Sequence, residues 1–224
     1  GQIVGIADKL DTVCAVFVEG KKPTGSSDPL GVRRAALGII KTILANDLKL
    51  DLNKLIEKTL ELLPVKKDCI NDIQEFFTQR LIIFLSDEYK KDSLEACSSG
   101  NPLADLSDYV ARVKVVNSMN APELLESANR TIRILKEPVH AEIKHDLFKH
   151  DSEGMLVDAI NKISDTTDYD KYLQELNALV PAITAFFDNV LVMDSDENVK
   201  NNRLSMLTRL KEKFEKLCDF SKIQ

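Results

Sequence analysis

Apolar residues recur along this chain at spacings of three and four, the period of a helix with one buried face. Ile6, Leu10 and Val13 mark the first such stretch and predict a helix over 3–18. Turn chemistry then interrupts: GKKPTGSSDP, residues 20–29, gathers Gly, Pro, Ser and Asp and predicts a loop. Asp28 reads as the N-cap of a second helix, with Pro29 at its first position and an end near Ala45. Asp51 caps a third expected helix, which stops before Pro64. A longer helix runs from Asp68 to about Tyr89, where Ile73, Phe76, Phe77, Arg80 and Phe84 lie three and four apart. The polar break SSGNP, 98–102, is the best internal boundary. Beyond it, amphipathic stretches at 105–118, 121–136, 153–163, 168–179, 181–192 and 196–218 predict further helices. No segment alternates with period two and β-branched enrichment. The pattern therefore predicts an all-α chain, a multi-helix bundle joined by connections of about two to eight residues.

Composition narrows the function classes more than the fold. The 224 residues suffice for one large helical domain or two small ones. No apolar run approaches the roughly 20 residues a membrane helix needs, so no membrane role is expected. Cys14, Cys69, Cys97 and Cys218 are far apart, with no CxxC pair. They read as reduced core thiols of a cytoplasmic protein. His140, His145 and His150 are spaced by five, whereas metal-binding histidines on a helix want three or four, so a surface role is expected. Asp8 and Asp11 have no histidine near them and read as solvated or capping residues. No Ser/His/Asp or Cys/His set emerges from the spacing. The chain alone is expected to be non-catalytic, with no cofactor and no metal.

Charge changes the picture. The net charge of −6 taken alone argues against nucleic acid. Yet residues 21–49 hold six basic and two acidic side chains, and residues 200–216 repeat that balance. A phosphate backbone responds to such local patches rather than to the sum. On the second helix Val32, Ala36, Ile39 and Ile43 form the apolar stripe, and Arg33, Arg34 and Lys41 fall away from it. With Lys21 and Lys22 in the preceding loop they form a candidate phosphate-binding edge; the alternative is a solvated face with local ion pairs. Thr24, Ser26 and Ser27 beside a helix N-terminus offer an anion site, against the reading of a capped turn. On the last helix Leu207, Leu210, Phe214 and Leu217 make the core seam, while Asn202, Arg209, Lys213 and Lys216 share the other face as a basic stripe. Arg203 falls on the seam side, so it is either an ion-paired structural arginine or points past the end of the core. These features leave three classes open: a nucleic-acid-binding domain, a helical protein-interaction scaffold, and, with its ligand set missing, a metal-dependent phosphohydrolase.

Two blocks give the chain a family likeness. IADKLDTVCAVF, 6–17, followed by KKPTGSSDPLGVRRAALGII, 21–40, resembles the beta subunits of tetrameric, bacterial-type glycyl-tRNA synthetases. So do AFFDNVLVMDSDENVKNNRLSMLTRL, 185–210, and the final DFSKIQ. The middle is similar more weakly, around 106–116 and 128–135, and Leu30 and Gly31 depart from the usual Phe and Ala. The resemblance implies a C-terminal piece of such a subunit. Residues 1–20 would be the end of an HD-like domain, and 21–224 a helical domain similar to the anticodon-binding domains of arginyl- and cysteinyl-type synthetases. It further implies a parent ligase that joins glycine to its tRNA through a glycyl-adenylate, using ATP and Mg. Its chemistry would sit on an alpha subunit in an alpha2beta2 complex, while the beta subunit grips glycine tRNA. Because Gly1 opens almost directly into a helix, that first helix is expected to be poorly anchored.

Overall fold

The computed structural model describes residues 1–23, 28, 30–64 and 68–223. These residues form α-helices and two short 3-10 turns, with no strand among them, which is the all-α architecture that the apolar period predicts. The chain divides into two compact units, Gly1–Val113 and Lys114–Gln224.

The first unit is built on α1 (Gln2–Val18), α2 (Val32–Ala45), α3 (Leu52–Leu62), α4 (Ile70–Leu85) and α5 (Lys91–Cys97). α1 packs chiefly on α2 and also reaches α3 and α4. Leu10, Val13, Cys14 and Phe17 on α1 are enclosed, as are Val32, Ala36, Ile39 and Ile43, the stripe expected on α2. Burying each Val, Leu, Ile or Phe among them contributes about 1.5–3 kcal/mol. α1 is therefore held along one face from Ile6 to Val18, contrary to the expectation of a poorly anchored helix, while Ile3 and Val4 in its first turn are exposed. α2 begins later than its sequence suggests. Gly31 is the N-cap, with a positive φ of 67° that favours glycine. The Asp28 carboxylate still serves the helix from outside, accepting from the backbone N–H of Arg33 at 3.2 Å and of Arg34 at 3.3 Å. Pro29 and the hydroxyl-bearing Thr24, Ser26 and Ser27 lie outside the described residues. Asp51 caps α3 as expected, accepting from Lys54 N–H. The 98–102 segment is tied into this unit by an Asn53 to Asn101 amide hydrogen bond of 2.8 Å.

Helix α6 (Leu106–Ser118) carries the chain across the division. In its first half Tyr109 donates to the Leu94 carbonyl at 2.8 Å and Arg112 to the Cys97 carbonyl at 2.9 Å, tying it to α5.

The second unit contains α7 (Pro122–Ile134), α8 (Asp151–Asn161), α9 (Tyr169–Asn177), α10 (Val180–Asn189) and α11 (Glu197–Leu217). α11 is central, packing against α7, α8 and α9. Its seam of Leu207, Leu210, Phe214 and Leu217 is enclosed as predicted. The opposite side of its first half is covered as well. Thr208 accepts from Val139 N–H at 2.9 Å, and Asn202 accepts from Lys144 N–H at 2.8 Å and donates to the Lys144 carbonyl at 3.0 Å. Both partners lie in the irregular segment that follows α7, which therefore runs over α11. Arg203 is buried among partners: its guanidinium donates at 2.9 Å to each of Glu153, Asp194 and the Leu191 carbonyl. The same Glu153 carboxylate accepts from the backbone N–H of Lys149 and His150 ahead of α8.

Candidate nucleic-acid interface

Each basic set can be placed within its own unit. In the first, Arg34 projects from the start of α2 with its side chain 81% exposed, its Nε 3.7 Å from Asp28. Arg33 is half-buried and lies close enough to Arg80 on α4 for their charges to interact. Burial, and then the Arg33 charge, pull the Arg80 guanidinium below the usual arginine value, while Asp28 acts the other way. The Arg80 Nε is buried with no hydrogen-bond partner among the described residues. Three guanidinium groups, of Arg33, Arg34 and Arg80, thus gather near the Asp28 carboxylate at a helix start, a grouping that suits an anion. Lys41 is exposed, its ammonium 5.3 Å from the Phe84 ring centroid. Lys21 pairs with Glu19 at 2.7 Å and Lys22 with Asp72 at 2.5 Å. Exposed pairs of this kind are worth only about 0–1 kcal/mol, so a phosphate can replace either carboxylate.

In the second unit the expected stripe is only partly at the surface. Arg209 is exposed and Lys213 half-buried, and neither side chain forms an ion pair among the described residues. Lys216 pairs with Asp165 and sits 4.9 Å from the Tyr172 ring centroid. Asn202 does not belong with them. It is 3% exposed, and its amide is engaged by the backbone of Lys144. A side chain so occupied clamps a segment onto α11 and is not free to meet a ligand.

Arg80 and Arg130 were not singled out by sequence. Arg80 sits in an apolar row and reads as part of it, though an arginine there is itself a signal. Arg130 is an exposed residue of α7, its guanidinium 4.4 Å from the Phe187 ring centroid. The sequence signal for it was the spacing of four from Glu126. His140 lies 3.5 Å from Glu212, and His145 packs on Phe148. Asp8 and Asp11 are exposed. No group of three or more His, Cys, Asp or Glu among the described residues is placed to hold a metal ion. No described helix is long and apolar enough to cross a membrane.

Known proteins supply the remaining observation. Residues 1–99 match the family model described as glycyl-tRNA synthetase beta subunit, and residues 114–223 match the DALR anticodon binding domain. Similar proteins named glycine–tRNA ligase beta subunit include those of Geobacter metallireducens and Geotalea uraniireducens, each 36% identical over 100% of this chain and 35% of the relative. One from Rickettsia bellii is 35% identical over 99% of this chain and 34% of its own length. The chain is similar along its whole length to glycine–tRNA ligase beta subunits. It spans about a third of the length of those beta subunits. Arg33, Arg34, Lys41 and Arg80 fall in the first matched stretch, and Arg130, Arg209, Lys213 and Lys216 in the DALR stretch.

Proposed function

We propose that this chain is the tRNA-binding region of a glycine–tRNA ligase beta subunit, with the second unit as its anticodon-binding part. One observation carries the proposal: the DALR match over 114–223 coincides with the compact unit Lys114–Gln224. A stretch of chain with its own core and an anticodon-binding likeness is a part able to act as a recognition module. The cations on α2 and α11 support it, since phosphate contacts position a nucleic acid and base contacts specify it. The parent enzyme attaches glycine to its tRNA at the expense of ATP, with Mg at the nucleotide. Its chemistry resides on an alpha subunit in an alpha2beta2 assembly. This chain contributes grip and placement, and no residue of it is assigned to the reacting atoms. Its four buried cysteines, none of them in a disulfide, suit a reducing compartment such as the cytoplasm.

The test is a titration of the full-length protein with glycine tRNA at several salt concentrations, comparing wild type with Arg34→Ala and Lys213→Ala. Each replacement is expected to weaken cognate and non-cognate tRNA about equally and to flatten the salt slope by roughly 1. Folding should change by only about 0.5 kcal/mol, because Arg34 is exposed and the half-buried Lys213 makes no ion pair among the described residues. Unchanged affinity and slope in both variants would remove these faces from the interface and leave a helical interaction scaffold as the better description.

A further inference from the structure

A groove of about 220 Å³ lies between α7 and α10 in the second unit. Glu123, Glu126 and Arg130 line it from α7, spaced three and four apart and so on one face of that helix. Thr184 and Phe187 line it from α10, and the buried Ser127 lies at its wall. The Arg130 guanidinium is held flat against the groove, 4.4 Å from the Phe187 ring centroid, and donates to the Phe187 carbonyl at 3.5 Å. Glu126 stands one helical turn away, at the spacing where Glu and Arg ordinarily pair. No such pair forms: among the described residues Arg130 has no carboxylate partner, and Glu123 and Glu126 make neither an ion pair nor a side-chain hydrogen bond. The groove thus presents, one helical turn apart, a carboxylate with no partner among the described residues and a guanidinium held only by the Phe187 carbonyl and ring.

That pattern is complementary to the pairing edge of cytosine, whose amino group donates while its ring nitrogen and carbonyl accept. Uracil presents a carbonyl where cytosine has the amino group, and a carboxylate repels it. The volume is below the roughly 300–1,000 Å³ of sites that enclose whole small molecules, and suits a single base splayed from a loop. Glycine codons begin with two guanines, so every glycine tRNA carries two cytosines in its anticodon. We infer that the α7–α10 groove holds one of these cytosines, with Glu126 accepting from its amino group and Arg130 donating to its ring acceptors. The inference rests on the tRNA-binding function proposed above and assigns the place where sequence is read. The α2 and α11 cations then hold phosphates, and the groove supplies discrimination.

The experiment uses the full-length protein and three glycine tRNA transcripts: the natural anticodon and two in which one or other cytosine is replaced by uridine. Wild type is compared with Glu126→Gln and Arg130→Met, both at exposed positions, with circular dichroism confirming the fold. Wild type is expected to favour cytosine at both positions. Glu126→Gln should lose that preference at one position only, by roughly 5- to 150-fold, the worth of one good base contact, with an unchanged salt slope. A glutamine amide can turn to face either pyrimidine. Arg130→Met should weaken the natural transcript more than the one altered at that same position. If both variants keep the full wild-type preference at both positions, the groove is not the reading site, and tRNA binding by the chain stands. If wild type binds glycine tRNA without favouring cytosine, this inference alone fails. If wild type does not bind glycine tRNA, both readings fail together.

Discussion

Arg203 is 1% exposed, and Glu153, which it contacts, is 0% exposed, so the second unit encloses a charge pair in its interior. Burying two charges is costly, and the structure compensates with several hydrogen bonds to each. Removing the arginine leaves a buried carboxylate without its cation, which costs about 3–5 kcal/mol. Arg203→Met is therefore expected to lower the urea midpoint of the second unit by a corresponding amount, and adding Glu153→Gln should restore part of it. Equal loss in the single and double variants would show that the pair is not coupled. Acid should act on the same network. Burial pushes the Glu153 carboxyl up, but the Arg203 hydrogen bond, the Lys149 and His150 N–H groups and the Arg203 charge outweigh it and hold it below the ordinary value. The Asp196 N–H and the Lys149 ammonium lower Asp194 to about 2. On unfolding both return to about 4, so the unfolded chain takes up protons first and stability falls as pH drops from about 5 towards 2. A thermal midpoint that falls over this window, and falls less in Glu153→Gln, is the expected result. Sequence placed Arg203 on the seam side and left two readings; the structure settles on the ion-paired one. It could not place Asn202, because a helical wheel knows only its own helix, and the segment that covers Asn202 comes from 58 residues away.

At the level of elements, periodicity located the long helices well, because each has a stripe that must be buried. α5 escaped it, since seven residues are too few to show a stripe. The start of α2 was misplaced by three residues because Asp28 is a good capping residue that here caps from a distance, with Gly31 turning the chain between them. α1 was underestimated for another reason: a helix at the beginning of a sequence looks unsupported until its partner is known. That partner is α2, and Leu10, Val13, Cys14 and Phe17 are all at most 2% exposed. Hydrogen exchange should accordingly show strong protection across residues 10–18 and fraying over 2–5. Exchange at 10–18 as fast as in an unfolded peptide would contradict this packing.

For the whole molecule, the net charge of −6 says less than its local balance, because residues 21–49 and 200–216 each hold six basic and two acidic side chains. That much of the candidate interface was legible in sequence. The groove beside Phe187 was not, since it needs two helices 57 residues apart to meet. With no residue assigned to the reacting atoms, glycyl-tRNA formation from glycine, ATP and tRNA is expected only when an alpha subunit is added; robust product from this chain alone would overturn that. The buried cysteines have one more consequence. Cys14, Cys69 and Cys97 belong to the first unit and Cys218 to the second, all buried and none in a disulfide. Burial pushes the Cys14 and Cys97 thiols up to about 12, and only the thiolate reacts with an alkylating reagent. A thiol reagent therefore meets these sulfurs only when the surrounding helices part, so the chain carries a built-in clock for each half, three sulfurs timing one and a fourth timing the other.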